Sequence, residues 1–458
     1  MEEIEHLGER LSEFYQDFRP YFQTQTRDTS AYGLSYLSGL LRLETERTMA
    51  NIGRKTGTGE QNMHHFMSNS PWSGPGLVTA IQGQVKARPE FQSGAMVLID
   101  ESADEKAGDQ SAGASRQHNG RLGKIEMSQV GVFLTLASPT VSTWIDGELF
   151  MPEAWFTPAA AKRRAKAEIP TERTFQTKPE LAWLMIQRAV ANGLAFEAVG
   201  MDSLYGRSQK LRADLDQANL EYYADVPANT QVYLCRPRLV YPKTKPGKVA
   251  KQPLVQGQAY EVRSLLASAY LRWQRITVRP SEQGYLTAEF VRLPVWTLYN
   301  QRPRREWLLI RLDDSRVSYT LSNAAWYTSL QTMAWRKSFR HFAERSNQDS
   351  KSELGWDEFQ ALKYRAWQHQ LALTLLAGWF ITKIRLDWVA RYQHQPDLLA
   401  HYQVELLPGL SVANVRKLLR AAMPLPQLSP TQAAQLVIKH LDNRIRSRKS
   451  RLHNGPAP

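Results

Sequence analysis

The sequence predicts a mixed α/β fold with a helical segment before the sheet and a second helical segment after it. Three observations support this prediction. Apolar and polar residues alternate at helical spacing up to about residue 90, short apolar runs of strand length begin at 94, and the last third returns to helical spacing. With 458 residues, 42% of them hydrophobic, the chain is long enough for several packed domains.

The first segment is expected to form a small helical unit. Residues 34–53 carry the helical pattern, and Gly and Pro interrupt it at 57–59 and 74–76. A short helix over 60–67, followed by a helix after Pro75, is consistent with a helix-turn-helix variant. A plain helical bundle explains the same pattern equally well.

The second segment reads as three strands followed by alternating helices and strands. Listed in order, these are strands 96–100, 129–138 and 140–151, helix 178–193, strand 194–202, helix 207–220 and strand 221–227. This order is expected of a mixed sheet with an antiparallel meander and parallel crossovers. It is also the order of the ribonuclease-H-like fold.

The third segment, 228–322, predicts a β-rich and strongly basic insertion. Between 231 and 316 there are 16 Lys or Arg against 6 Asp or Glu, so +10 of the net charge of +14 lies in this stretch. Basic side chains neutralise phosphates, and the aromatic residues between them can pack on sugars or bases. Aromatics filling the core of a small sheet would explain those rings, but not the charge.

The last third predicts helices over about 325–352 and 357–386, with shorter helices to about 445. The tail 439–451 has six basic residues and one acid, which indicates a flexible basic arm. The apolar run Leu371–Ile381 is too short to span a bilayer and reads as a buried helix. The single Cys235 excludes an internal disulfide and fits a reducing cytoplasm, and the acidic, polar start shows no secretory signal.

Two acids are candidate metal ligands. Asp100 ends one apolar strand and Asp202 ends another, so they face each other if the two strands are parallel neighbours. Carboxylates held that close repel unless a proton or a divalent cation lies between them. An acid at a strand end is also a common helix cap.

A third acid comes from the helix near 340. Arg340, Glu344, Asn347 and Lys351 project from one helix face. An acid flanked by two cations can bind a metal while the cations hold phosphate oxygens. An exposed stripe of helix charges is the simpler alternative.

Several blocks of this sequence together resemble DDE-type insertion-sequence transposases. The blocks are VLIDES (97–102), SAGASRQHNGRLGKIEMSQVGVFLTLAS (111–138), TKPELAWLMIQRA (177–189), VGMDSLYGR (199–207) and RHFAERSNQDSKSELG (340–355). The subgroup it resembles has the third motif Tyr-x2-Arg-x3-Glu-x6-Lys. The resemblance runs from about residue 10 to 390, with the blocks in the correct order.

The resemblance implies a ribonuclease-H-like catalytic core interrupted by the β-rich insertion. It implies that Asp100, Asp202 and Glu344 are the catalytic acids and hold two Mg²⁺ ions, with Mn²⁺ as a substitute. It further implies that Arg340 and Lys351 contact DNA. The signature tyrosine falls at Lys337, which puts a phosphate contact by that hydroxyl in doubt.

The block containing Arg116 and Lys124 also matches the family and predicts further DNA contacts. In related families a base is flipped onto an aromatic ring, for which Trp273, Trp296 and Trp335 are candidates, although core packing is the more common role of such residues. Four nearby acids are interpreted as spectators: Asp104, Glu105, Asp109 and Glu353.

The expected layout is a helical DNA-binding domain (1–92), a first core part (93–227), the basic insertion (228–322), a second core part with the third acid (323–390) and a helical C-terminal region with a basic tail (391–458). The expected function is metal-dependent cleavage and strand transfer of double-stranded DNA at terminal inverted repeats, by a homodimer in the synaptic complex. The protein is expected in the bacterial cytoplasm, on the nucleoid when DNA-bound and away from membranes. A catalytically inactive DNA-binding descendant and a ribonuclease-H-like nuclease remain alternatives.

Overall fold

The computed structural model describes residues 6–425, apart from gaps at 121–122, 246–247, 250–252, 269–270, 282–283 and 314–315, and scattered residues between 431 and 449. Its α-helices are α1 (Leu7–Gln16), α2 (Ser30–Arg42), α3 (Met49–Lys55), α4 (Glu60–Ser68), α5 (Gly74–Lys86), α6 (Ala161–Lys166), α7 (Lys178–Ala191), α8 (Ser203–Gly206), α9 (Gln209–Gln217), α10 (Leu330–Ser338), α11 (Arg340–Ser352), α12 (Tyr364–Tyr392), α13 (Pro396–Tyr402) and α14 (Val412–Ala422).

The first strands are β1 (Met96–Glu105), β2 (Ser115–Asn119), β3 (Lys124–Ala137), β4 (Ser142–Phe150), β5 (Ala198–Met201) and β6 (Glu221–Val226). The later strands are β7 (Gln231–Tyr233), β8 (Arg238–Val240), β9 (Lys243–Lys245), β10 (Lys248–Val249), β11 (Leu254–Gln256), β12 (Ala259–Glu261), β13 (Gln274–Ser281), β14 (Gly284–Tyr299), β15 (Arg302–Asp313) and β16 (Arg316–Ser322).

One large mixed sheet organises the molecule. Its order is β12-β7-β14-β15-β16-β6-β5-β1-β3-β2, with β13 beside β14 and β4 beside β3. β5 runs parallel to both β1 and β6, whereas β3 is antiparallel to β1 and β4. The predicted mixed α/β class is therefore confirmed, and the order of β4, β3, β1, β5 and β6 is compatible with a ribonuclease-H-like core.

The two faces of the sheet are covered by different helices. β1 begins with four buried apolar residues, as expected of a strand that is covered on both sides. Val97 and Ile99 belong to the apolar core that contains α12 and the N-terminal helices. Met96 and Leu98 point to the opposite face, where they pack with apolar residues of α10 and α11. Position 100 lies on this second face because side chains alternate along a strand.

The 29-residue helix α12 is the central support of the first face. It packs against α2, α4, α5 and α14 as well as against β4. The predicted buried run Leu371–Ile381 lies within it and is almost entirely buried. None of the described helices is long and apolar enough to cross a membrane. The N-terminal helices and the sheet thus share one apolar core through α12.

The β-rich segment continues the central sheet. β16 pairs with β6 in antiparallel orientation, and β15 and β14 follow beyond it. Their inner face forms an apolar cluster of its own around Val291, Val295 and Leu308. The insertion is thereby joined through β6 to β5 and β1, which position the predicted acids Asp202 and Asp100.

Three local predictions differ from the structure. The helix predicted over 325–352 is broken at Phe339 into α10 and α11. β2 was not predicted, because its sequence SRQHN is polar on both faces. Of the basic tail 439–451, which was predicted as a flexible arm, the described residues lie between 441 and 449 and are helical and exposed.

Both helices of the predicted helix-turn-helix variant are present, as α4 and α5. The predicted second helix, α5, buries Leu77, Ile81 and Val85, and the Gln82 amide donates a hydrogen bond to the Ile145 carbonyl of β4. The pair that is joined by a short turn is α3 and α4.

Candidate active site

Three carboxylates lie side by side across three neighbouring strands. Ile99 of β1 pairs with Met201 of β5, and Met201 pairs with Ala224 of β6. The next residue on each strand is an acid, and the three are Asp100, Asp202 and Asp225. All three acids lie on the face of the sheet that α10 and α11 cover. β1 and β5 are thus parallel neighbours, as the facing of Asp100 and Asp202 requires, although β1 itself continues past Asp100 to Glu105.

The Asp100 carboxylate is held between its own strand and α11. Oδ1 accepts the Glu101 backbone N–H at 2.9 Å, and Oδ2 accepts the Asn347 amide at 3.2 Å. The pKa of Asp100 is raised to about 6, mainly by burial, while the Arg340 guanidinium opposes the rise and the nearby Asp202 charge contributes to it. The site therefore favours a cation or a proton at this carboxylate.

The Asp202 carboxylate caps helix α8. Its Oδ1 accepts the backbone N–H groups of Leu204 at 2.9 Å and Tyr205 at 3.3 Å. The cap therefore uses one oxygen, and Oδ2 makes no hydrogen bond within the described part of the chain. A Cβ atom on Gly206 would lie 1.9 Å from the Asp225 carbonyl, so glycine lets α8 lie directly against the end of β6.

Arg340 is the cation at the centre of these acids. Burial lowers the pKa of its guanidinium, but surrounding carboxylates outweigh that effect and raise the pKa above its ordinary value. These carboxylates are Asp100, Asp202, Asp225 and Glu344. Nη1 of Arg340 is buried and makes no hydrogen bond to a described residue.

Glu344 lies next to the other acids but is not gathered with them. The Oε1 atom of Glu344 lies 3.4 Å from Nη2 of Arg340, the residue one helical turn before it. The Glu344 side chain is 65% exposed. No cluster of three or more His, Cys, Asp or Glu side chains that could hold a metal ion occurs among the described residues. The structure brings Asp100 and Asp202 together, whereas the Glu344 side chain pairs with Arg340 and is mostly exposed.

Lys351 lies on the same face of α11 but contacts β1. Its ammonium donates to the Ala103 carbonyl at 2.7 Å and lies 3.4 Å from the Asp104 carboxylate. Asp104 is buried, which raises its pKa to about 6 against the opposing charge of Lys351. Asp104 is thus the buried ion-pair partner of Lys351, a structural contact that the sequence pattern did not reveal.

Lys337, at the position of the signature tyrosine, forms an ion pair with Asp225. The Lys337 side chain is 6% exposed, and the Thr320 hydroxyl of β16 donates to the same carboxylate oxygen. Lys337 is in the last turn of α10, so this pair fixes the α10–α11 junction over the end of β6. Sequence reasoning missed Asp225, although it occupies in β6 the position that Asp202 occupies in the strand beside it.

The model of the DDE superfamily endonucleases matches residues 13–285 of the chain. The chain belongs to this superfamily. The matched range contains Asp100 and Asp202 but ends before α11. The family match therefore does not include the signature around Glu344.

A curated relative of this DDE superfamily member is the probable transposase for insertion sequence element IS701 of Microchaete diplosiphon. It is 25% identical over 332 residues, covering 69% of this chain and 73% of the relative. The predicted resemblance to DDE-type insertion-sequence transposases is therefore confirmed. Members of this superfamily generally use divalent metals, and a transposase binds DNA.

The other predicted DNA contacts of this DDE protein lie apart from the acids. Arg116 and Lys124 are exposed on the β2–β3 hairpin, where Lys124 pairs with Glu126 at 2.8 Å. Asp100 pairs with Phe133, nine residues farther along β3 than Lys124. At 3.4 Å per residue the hairpin tip is about 30 Å from Asp100.

The three predicted base-stacking tryptophans are half-buried in this DDE protein. Trp335 packs on Phe339, and Trp273 packs against the apolar cluster of the insertion. Trp296 lies beneath the Arg236 guanidinium at 5.6 Å. Among the described residues, the most exposed aromatic rings are those of Trp326 and Tyr327, at 76% and 75%, in the segment between β16 and α10.

Proposed function

We propose that this protein is the transposase of an insertion sequence. It binds the terminal inverted repeats of its element, cleaves the DNA at the ends and joins the freed 3′ hydroxyls to target DNA. The observation that carries the proposal is the adjacency of Asp100 and Asp202 on parallel strands, with α11 and its Arg340 and Glu344 crossing the same face. Membership in the DDE superfamily and the similarity to an IS701 transposase support it.

The donor set fits divalent metal ions. Asp100 and Asp202 offer neighbouring carboxylate oxygens, which are the ligands that Mg²⁺ prefers. Glu344 is mostly exposed and would complete the set by turning inward past Arg340. When bound, two Mg²⁺ ions, or Mn²⁺ in their place, would activate the attacking oxygen and stabilise the leaving oxygen.

Arg340 is suited to hold the scissile phosphate. Its guanidinium already lies among carboxylates, and its buried Nη1 has no hydrogen-bond partner among the described residues. A guanidinium presents paired N–H donors that match the non-bridging oxygens of a phosphate. Cleavage breaks one P–O bond with water, and transfer exchanges one phosphodiester for another, so joining needs no external energy source.

The remaining parts of the chain would grip the DNA around this centre. We propose a ribonuclease-H-like core formed by 93–227 and 323–390, the basic insertion 228–322 and the helical units 1–92 and 391–458 as DNA-binding parts, and a homodimer that pairs the two ends on the bacterial nucleoid. Arg116 and Lys124 are exposed and available for phosphate contacts. A DNA contact by Lys351 has the least support, because β1 already holds its ammonium.

A second candidate function is DNA binding without catalysis. The 65% exposure of the Glu344 side chain and its separation from Asp100 and Asp202 favour this reading. A third, a nuclease of the same fold, would cut without joining. One reaction distinguishes the three candidate functions.

Magnesium-dependent strand transfer from a pre-cleaved element end separates these functions. The substrate is a duplex copied from one end of the element, with a free 3′ hydroxyl, mixed with supercoiled plasmid as target. A transposase joins the duplex to the plasmid, a nuclease only cuts, and a repurposed binder does neither. Absence of joining by folded, end-binding protein would overturn the proposal.

The acids are tested by isosteric replacement. We expect Asp100→Asn, Asp202→Asn and Glu344→Gln each to abolish cleavage and leave end binding nearly intact, because a lost metal ligand does not remove the basic grip. Asp109→Asn is the matched control, since this exposed acid pairs with Arg163 far from α11. Full cleavage by any of the three variants would show that the replaced acid is not part of the catalytic site.

A further inference from the structure

Asn347 of α11 connects β1 and β4, two strands of the sheet that are separated by β3. Its side-chain amide donates to Oδ2 of Asp100 at 3.2 Å and to the Glu101 carbonyl at 3.3 Å. On the other side of the same amide, Oδ1 accepts the Trp144 indole N–H at 3.0 Å. One amide group therefore links an expected metal ligand on β1 to a tryptophan on β4.

The Trp144 indole determines which way this amide points. An indole N–H can only donate a hydrogen bond, so the Asn347 amide must turn its oxygen towards Trp144. Its NH₂ group is then directed at β1, where the Asp100 carboxylate and the Glu101 carbonyl accept its hydrogen bonds. In the flipped orientation, the amide oxygen would face these two acceptors and the NH₂ group would face a donor. The amide therefore has a single favourable orientation.

Trp144 is itself fixed by the aromatic rings around it, and it is 4% exposed. Its ring stacks on Phe133 of β3, with centroids 4.0 Å apart and an interplanar angle of 8°. It also meets Trp356 edge-on, with centroids 5.6 Å apart. Phe133 is the residue of β3 that pairs with Asp100. Packing within the sheet thus sets the position of the indole N–H relative to this carboxylate.

The Asp100 carboxylate has one hydrogen-bond donor on each oxygen. Oδ1 accepts the Glu101 backbone N–H at 2.9 Å, and Oδ2 accepts the Asn347 amide. A carboxylate oxygen has two lone pairs, so each oxygen keeps one for a metal ion. With the backbone donor alone, the carboxylate could rotate about that contact, and the second donor removes this freedom. Loss of a group that orients a metal ligand typically weakens metal binding about 10- to 100-fold.

We propose that Asn347 is a positioning residue for Asp100, and that its amide, oriented by the Trp144 indole, fixes the direction in which Asp100 presents its oxygens to a divalent metal ion. This inference rests on the proposed function, since it takes Asp100 as a metal ligand. Asn347 lies one turn after Glu344, so the same contact holds the part of α11 that carries the third acid against β1. Asn347 acts through Asp100 and contacts neither the metal nor the DNA.

Calorimetric titration of the DNA-free, full-length protein with Mn²⁺ tests the role of Asn347. We expect Asn347→Ala to weaken Mn²⁺ binding about tenfold, because Oδ2 of Asp100 loses its donor. Trp144→Phe keeps an aromatic ring on Phe133 and removes the indole N–H, so it should weaken binding to a smaller extent. Asp100→Asn should abolish the binding, which assigns it to this site. Thermal unfolding scans check that each variant is folded, and Trp144→Phe carries the test if Asn347→Ala is not.

The matched control is Ser346→Ala. The Ser346 hydroxyl lies 3.0 Å from the Ser142 hydroxyl, so it joins α11 to β4 without a hydrogen bond to Asp100. Its removal should leave the Mn²⁺ affinity unchanged. Combining Trp144→Phe with Asn347→Ala should weaken Mn²⁺ binding no more than Asn347→Ala alone, since the indole acts through the amide.

The metal dependence of strand transfer gives a second measurement. Asn347→Ala should raise the Mn²⁺ concentration for half-maximal joining about tenfold, as it weakens the metal site. Joining at saturating Mn²⁺ should stay close to that of the wild type. A variant that merely disturbed the fold would lose joining at every metal concentration.

The outcomes that contradict this inference are distinguishable from failure of the proposed function. If Asp100→Asn abolishes Mn²⁺ binding but the folded Asn347→Ala and Trp144→Phe variants keep wild-type affinity, Asn347 does not position Asp100, and the proposed function stands. Equal losses of affinity in Ser346→Ala and Asn347→Ala would indicate a general loosening of α11 and would also overturn the inference. If the wild type binds no Mn²⁺, with or without an element-end duplex, both the inference and the metal-dependent part of the proposed function fail.

Discussion

At the scale of single residues, Arg340 determines the charge balance of the candidate active site. It faces four carboxylates, so the site carries more negative than positive charge around one guanidinium. Like charges this close repel one another and favour cation binding. The affinity of the site for a metal ion should therefore depend on whether the most buried of these four acids is protonated.

Asp100 is that acid, and its titration predicts a pH dependence of metal binding. Its pKa is raised from 3.8 to about 6, mainly by burial. A proton on this carboxylate competes with a metal ion, so Mn²⁺ affinity should be constant well above pH 6 and fall about tenfold per pH unit below it. Calorimetric titration of the DNA-free protein with Mn²⁺ across this range measures the dependence.

The control for this titration is Asp104→Asn. Asp104 also has a pKa raised to about 6, but its partner is Lys351, so its replacement should leave the pH dependence of Mn²⁺ binding in place. A Mn²⁺ affinity that stays constant from pH 7 to well below 6 in the wild type would contradict a ligand role for Asp100.

At the scale of elements, the α10–α11 junction positions the third acid. Lys337 of α10 is tied to Asp225 of β6, and α11 begins three residues later with Arg340. Asn347 and Lys351 hold the rest of α11 against β1. The helix is thus fastened to the sheet at both ends, with Glu344 between the attachments.

Removing the Lys337 ammonium should loosen this junction. In Lys337→Met, the Asp225 carboxylate is left beside Asp202 without its ion-pair partner, and we expect a loss of about 3 kcal/mol in the free energy of unfolding together with reduced strand transfer. Chemical denaturation measures the first effect and the strand-transfer assay the second. Asp225→Asn on the same background should restore part of the stability by removing the unpaired charge.

The matched control is the exposed pair of Lys210 and Asp214 on α9. Lys210→Met removes an i,i+4 pair whose lysine side chain is 54% exposed, so its cost should stay below about 0.5 kcal/mol. Equal stability losses in Lys337→Met and Lys210→Met would show that the junction is not held by Lys337.

The positions of helices and strands could be predicted from the sequence better than the elements that each of them packs against. The apolar run of β1 and the capping residues Thr177 and Glu180 of α7 are local signals, and both elements lie close to their expected positions. The break at Phe339 has no comparable signal in the sequence. Phe339 itself keeps helical φ and ψ. The glycine turn at 56–59 was read as punctuation, although it joins the two helices that pair.

At the scale of the whole molecule, the insertion and the core form a single sheet. Beyond the pairing of β16 with β6, the buried Glu306 of β15 accepts hydrogen bonds from Arg212 of α9 at 3.2 Å and from Tyr222 of β6. The side chains of Arg212 and Glu306 are 3% and 0% exposed. Such pairings join residues about 90 positions apart, so no local pattern predicted them.

This connection predicts that the insertion and the core unfold together. Glu306→Leu leaves the buried Arg212 without its ion-pair partner, and we expect a loss of about 3 to 5 kcal/mol in the free energy of unfolding with a single calorimetric transition at lower temperature. Glu261→Gln, at an exposed pair with Arg263, should leave the transition unchanged. Two separate transitions in the wild type would show instead that the insertion is an independent unit.

The position of α12 also has a consequence for synthesis on the ribosome. The helices before Lys86 emerge early, but the apolar surface that they bury belongs largely to Tyr364–Tyr392, near the other end of the chain. Until that stretch has been translated, the early helices remain uncovered. A message interrupted within the insertion would therefore yield a product that chaperones and proteases recognise, and not a partly working protein.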